Sequence, residues 1–225
     1  MKKILSIFVV AAVAFAGCSK SSNSAPANSA DVMFVNGCAG TASVYVTANT
    51  VNVPGTSNIT FFNTSNYQYV TAGTESISFF VTSLGSSTPL KTFSATFAAN
   101  AHYSVFVGGL ITNSTYLVTT DDLSAPPSGD AKVRFVNLST DTLSENAAVG
   151  ATSIATGITS MVAGSFISVP AGSYMVKAAD PSNVSTGVST TSLSFSAGKM
   201  YTVMLTGSLT GTGTSGLTLT VLNNN

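Results

Sequence analysis

The sequence predicts an all-β protein: two tandem immunoglobulin-like β-sandwich domains behind an N-terminal signal peptide and a flexible tether. Three observations predict it. Beyond the first thirty residues, apolar residues alternate with polar ones at period two, and no run carries a helical period. The chain repeats itself: VMFVN (32–36) is answered by VRFVN (133–137), VTAG (70–73) by VPAG (169–172), and Phe97, Tyr103 and Val107 by Phe195, Tyr201 and Leu205. The separation stays at about 100 residues throughout. Finally, 44% of residues are hydrophobic, many of them β-branched or aromatic, which suffices to bury a core.

The leader comes first. Lys2 and Lys3 precede an apolar run over 4–16 that only Ser6 interrupts, and Gly17 and Cys18 follow. A positive start, a short apolar run and small residues before a cut describe a signal peptide over 1–17. The run is shorter than the roughly 20 residues a membrane-spanning helix needs. Phe15-Ala16-Gly17-Cys18 resembles the bacterial lipobox, with Phe15 in place of the usual Leu or Val. That resemblance implies acylation of Cys18, which would become the mature N-terminus. Several acyl chains would make a lasting anchor where one holds only marginally. Ser19, with no acidic residue nearby, favours the outer membrane by resemblance to lipoprotein sorting rules. The remainder of 18–29 is mostly Ser, Asn and Ala, with nothing to bury, and reads as a tether.

The first sandwich is expected over 30–123, with strand-like runs at 32–36, 43–47, 76–82, 92–97 and 103–107. Ser124 to Gly129, with Pro126 and Pro127, carries no periodicity and reads as a linker over 124–129. The second sandwich, 130–225, repeats the pattern at 132–137, 174–178, 190–195, 201–206 and 217–222. Short strands punctuated by Ala72-Gly73, Ala171-Gly172 and Ala197-Gly198 indicate one sandwich per copy. With no Trp and only two Cys, one of them assigned to the anchor, the antibody-type inter-sheet disulfide is excluded. Tyr103 and Tyr201 each begin a late strand just after a turn. There a tyrosine corner would fix the connection through its hydroxyl.

The segments AKVRFVN (131–137), SVPAGSYMVK (168–177), LSFSAGKMYTVMLTGSL (193–209) and LTLTVL (217–222) resemble the bacterial exported family called domain of unknown function 4397. The second copy matches along nearly its full length. The first matches more loosely, with Thr71 where the second has Pro170 and Asn100 where it has Gly198. The resemblance implies a secreted or surface β-sandwich, commonly in tandem, and it brings no catalytic residues.

Chemistry is sparse. An enzyme needs a nucleophile, a base and an orienting group within reach of one another. His102, the sole histidine, has Met200 as its counterpart and reads as a partly exposed strand residue. The acids do not recur between copies. Asp121, Asp122 and Asp130 flank the linker and read as solvated linker acids rather than a Ca²⁺ site, since no Asp-rich loop spacing is present. Cys38 reads as a small turn residue, and Asp141-Thr142-Leu143 resembles the short motif of some bacterial O-glycosylation systems. Eight basic and eight acidic residues leave no field for nucleic acid. No cofactor or metal is implied.

The expected function is therefore that of a non-catalytic envelope lipoprotein in a structural, adhesion or spacer role, with the membrane as partner through its lipid. The alternative is a module for a glycan, a peptide or an envelope protein, using exposed aromatics of the first copy. Phe61 stands where the second copy has Ser160, and Tyr69 where it has Ser168. A position that accepts Ser is not expected in a core, so both rings are candidate ligand contacts. Tyr67 shares strand parity with Tyr69 but corresponds to Phe166.

Overall fold

A computed structural model describes residues 25–84 and 88–224. The expected signal peptide and Cys18 lie outside the described residues. The first half runs through β1 (Ser29–Asn36), β2 (Ser43–Ala48), β3 (Val51–Asn52), β4 (Ile59–Thr60), β5 (Asn63–Thr64), β6 (Gln68–Thr71), β7 (Gly73–Val81), β8 (Lys91–Phe97), β9 (His102–Leu110) and β10 (Asn113–Thr120). The second half continues with β11 (Asp130–Asn137), β12 (Glu145–Val149), β13 (Thr152–Ile158), β14 (Val162–Ala163), β15 (Ile167–Pro170), β16 (Gly172–Tyr174), β17 (Val176–Asp180), β18 (Asn183–Ser189), β19 (Leu193–Phe195), β20 (Met200–Thr206) and β21 (Thr218–Asn223). The described chain is all-β, with two short 3₁₀ turns.

In each half two sheets face each other. The first half sets β10-β9-β1-β5, with β6 also on β1, against β3-β2-β7-β8, with β4 also on β2. Its core holds Val32 and Phe34 from β1, Val44 and Val46 from β2, Ile77 and Phe79 from β7, and Val105 and Val107 from β9. The second half sets β14-β11-β20-β21, with β15 on β11, against β13-β12-β17-β18 and the β16-β19 pair. Val133, Phe135, Val149, Val176, Val203 and Leu205 fill that core. Alternate residues of each strand face inward, which is the expected period-two rule at work.

The two halves repeat in geometry as well as in sequence. The pairings β1 with β9 and β11 with β20 are parallel, in matching registers such as Phe34 opposite Val105 and Phe135 opposite Val203. Asn36 and Asn137 end the first strand of each half and make the same turn: the side-chain NH₂ donates to the carbonyl of Ile59 or Ile158. The side-chain oxygen accepts from the N–H of Cys38 or Ser139. Asn100 and Gly198 differ in sequence yet share the left-handed backbone, at φ 60° and 78°. Asn is the non-glycine residue that tolerates this conformation best. Both tyrosine corners form: the N–H of Ala98 donates to the Tyr103 hydroxyl at 3.0 Å, and that of Ser196 to the Tyr201 hydroxyl at 3.0 Å.

Some elements depart from the sequence reading. The strand expected at 174–178 breaks at Met175 into β16 and β17, and the one expected at 190–195 shrinks to β19. β10, β12, β13 and β18 lie outside the strand-like runs expected from the sequence. ENAAV is rich in residues of weak strand preference, so partner strands rather than local preference fix it.

Candidate functional site

The inner strands bury both faces. Met33 and Val35 of β1, and Phe106 of β9, point away from the first core. They meet Val136, Leu138, Met204 and Leu222 of the second half in a third apolar cluster. Four layers of sheet are thus stacked with three cores between them. The meeting residues occupy matching places in the repeat: Val35 with Val136, Met33 with Arg134, Phe106 with Met204, Tyr67 with Phe166. This is the pattern of a self-complementary dimer interface carried within one chain. A Cβ on Gly37 would collide with Leu138 and one on Gly108 would crowd it, so these glycines form the hole that receives the second half's leucine. The Gly109 N–H donates to the Leu138 carbonyl at 3.0 Å, a backbone hydrogen bond across the seam.

Arg134 enters this seam 2% exposed. Its guanidinium donates to Asp121 Oδ1 at 2.6 Å, to the Ser104 hydroxyl at 2.9 Å, to Thr119 at 3.0 Å and, through Nε, to Thr202 at 2.9 Å. The Asp121 side chain is fully buried and also accepts from the hydroxyls of Tyr67 and Ser104, each at 2.6 Å. The guanidinium lies 4.7 Å from the centre of the Phe166 ring. A charge in such a place is tolerable only when its donors and acceptors are satisfied, and here nearly all are. Asp121 therefore is not a solvated linker acid, because it is the counter-charge of Arg134. Asp122 does face solvent. It pairs with Lys132 at 3.0 Å, while hydrogen bonds from Ser124, first the hydroxyl and then the backbone N–H, and from Lys132 hold its carboxyl down at about 2. Lys132 also donates to the Ser124 carbonyl and hydroxyl, so the segment between the halves is pinned.

The aromatic candidates part company. Tyr67 is a seam residue rather than a free ligand contact: its ring packs on the third cluster and its hydroxyl is spent on Asp121. Burial, with the Asp121 charge second, pushes its phenol well above the usual range. Phe61 is half-buried and stacks on Phe62 with ring centres 3.7 Å apart. Tyr69 is 44% exposed on β6 and lines a cleft of about 280 Å³ together with Asn49, Asn52, Pro54 and Glu75.

A family described as a domain of unknown function (DUF4397) matches residues 30–144. That span covers the first sandwich, the segment after it and β11. The chain belongs to this family. No curated protein matches it. Within the matched DUF4397 region lie β1, β9 and β11, the strands that build the seam together with β20.

Several other polar residues of this DUF4397 chain are tied into the structure. Cys38 is buried in the first core, where desolvation pushes its thiol up to about 12, so it stays an unreactive thiol at neutral pH. His102 Nδ1 stands 3.3 Å from Asp31 Oδ2 on the neighbouring strand, and its ring meets Tyr67 edge-on. Thr142, in the O-glycosylation-like tripeptide, is 4% exposed and accepts from Asn137, so the folded chain does not present its hydroxyl. Asp141 fastens the 208–209 loop. Burial raises its carboxyl, but donors from Ser208, Leu209 and Ser139 outweigh it and the net direction is down. Among the described residues no three His, Cys, Asp or Glu side chains come together as a metal site.

Proposed function

We propose that this chain is a non-catalytic cell-envelope lipoprotein. Acyl chains on Cys18 hold it to a membrane, by expectation the outer one, and two DUF4397 sandwiches stand beyond the tether as one stiff module in a structural, adhesion or spacer role. In this reading 30–123 and 130–225 are both domains of the family, joined by 124–129. The observation that carries it is the seam. The buried Arg134–Asp121 pair and the third apolar cluster spend the inner faces of both halves on each other. A pair joined in this way transmits force and holds distance, as a spacer must. The anchor is tested by labelling cells with an alkyne fatty acid. The parent protein should take the label and fractionate with membranes, and Cys18→Ser should lose both. Membrane retention of the unlabelled variant would overturn the lipid anchor.

A second reading, a binding module for glycan or peptide, is favoured by Tyr69, whose exposed ring borders a cleft. Tyr69→Ser should weaken retention of the protein on immobilised envelope polysaccharide or peptide. Equal retention of parent and variant would remove this reading.

A further inference from the structure

The two halves place the same hairpin turn over the same end of the sandwich and fill that end differently. In the second half Gly172 pairs with Phe195 and Tyr174 with Leu193. In the first, Gly73 pairs with Phe97 and Glu75 with Ala95. Glu75 and Tyr174 are thus the same position. The turns correspond as well: Val149 pairs with Thr152 around Gly150, and Ala48 pairs with Val51 around Asn49 and Thr50. The Tyr174 ring lies directly on Gly150, where a Cβ would meet it at 2.8 Å, and it closes the end of the second sandwich. The first half has no ring there. Asn49 occupies the glycine's place, Glu75 the tyrosine's, and a cleft of about 280 Å³ stands open between the turn, Pro54 and Tyr69.

Glu75 is 7% exposed and lines this cleft, and its carboxylate oxygens open on it with no hydrogen-bond or ion-pair partner among the described residues. A carboxylate that opens on a cleft with no protein donor on it is an acceptor left for a bound group. The surrounding groups define the donor. The Ser76 N–H donates to Asn49 Oδ1 at 2.9 Å, which fixes that side chain and leaves its NH₂ to donate. Asn52 adds a second amide, and the Tyr69 ring supplies an apolar face. An ammonium ion would use the carboxylate and the ring but would leave both amide NH₂ groups without an acceptor. A sugar hydroxyl donates and accepts at once, and the C–H face of a pyranose stacks on an aromatic ring. We infer that the open end of the first sandwich, floored by Glu75 and flanked by Tyr69, Asn49 and Asn52, is a binding site for a single neutral sugar ring. The assignment rests on the second reading above, that the first sandwich binds a ligand.

The test is saturation-transfer NMR on the detergent-solubilised full chain. The probes are the methyl glycosides of glucose, galactose, mannose and N-acetylglucosamine, with n-butylamine as the amine probe. At least one glycoside should receive saturation from the parent. Glu75→Gln should weaken it about tenfold, as loss of a charged acceptor predicts. Glu75→Tyr, the side chain that the second half uses to close the same end, should abolish the transfer without lowering the melting temperature. Tyr69→Ser, at an exposed position, gives the same loss by a route that does not touch the core, and keeps the test decisive if Glu75→Tyr fails to fold. Transfer to no glycoside, transfer that survives Glu75→Tyr and Tyr69→Ser, or Glu75-dependent transfer to n-butylamine alone would each overturn the site. Such a failure with Tyr69-dependent retention on polysaccharide or peptide intact sinks only the sugar cleft. Failure of both sinks the second reading as well.

Discussion

Arg134→Met is the sharpest perturbation of the seam. Methionine keeps much of the unbranched bulk and removes the charge, so the cavity contribution is small and the electrostatic one is isolated. Three hydroxyl donors, from Tyr67, Ser104 and Thr119, stay on Asp121, but a fully buried carboxylate loses the one cation paired with it among the described residues. Breaking a buried pair by removing one partner costs about 3–5 kcal/mol. The lost contact with the Phe166 ring lies within that range. At a urea m-value of about 2 kcal/mol/M, the unfolding midpoint should fall by roughly 2 M, read by far-UV circular dichroism because the chain has no Trp. Adding Asp121→Asn to Arg134→Met removes the stranded charge and should recover about half of the loss. A loss below about 1 kcal/mol, or a double variant no better than the single one, would refute the claim that this ion pair is buried between two docked sandwiches.

Two further expectations follow from groups outside the seam. Burial, with Asp180 second, lifts the Glu145 carboxyl to about 7, above its ordinary 4.5. The folded state therefore holds a proton that the unfolded state has lost between those values, and stability should fall as pH rises through that window, by at most about 3 kcal/mol. Glu145→Gln should flatten this dependence when melting temperatures are compared at pH 4.5 and 8, and an unchanged slope would contradict the burial. Tyr103→Phe and Tyr201→Phe each remove one acceptor from a turn N–H, and calorimetry should show similar losses of about 1 kcal/mol. A loss in one half alone would break the equivalence of the two corners.

Much of the architecture was legible because the repeat let each half act as a control on the other. The corner roles of Tyr103 and Tyr201 could be read from position alone, since a hydroxyl that recurs just after a turn has a backbone N–H within reach. The seam could not be read so. Ser104, Thr202 and Arg134 fall at alternate positions of β9, β20 and β11, and a polar residue there looks the same whether it faces water or a counter-charge in a neighbouring sheet. One signal was available: Met33, Val35, Phe106, Val136 and Met204 on those same outward faces are too apolar for a solvated surface. Asp121 was hidden for a related reason, because nothing local distinguishes an acid that ends a strand in solvent from one turned into a seam. The Glu75 cleft was half visible. The sequence opposes Glu75 to Tyr174, but only the turn over Gly150 shows that the tyrosine is a plug.

Whether the two sandwiches act as one stiff body is tested most directly by differential scanning calorimetry of the intact chain beside fragments 30–123 and 130–225. Each fragment retains its own core but exposes the residues of the third cluster, Met33, Val35 and Phe106 in one case and Val136, Leu138 and Met204 in the other. The account predicts a single transition for the intact chain, with equal calorimetric and van't Hoff enthalpies, and lower melting temperatures for both fragments. Two transitions in the intact chain, each at the temperature of the corresponding isolated fragment, would show two independent beads on a linker and contradict it.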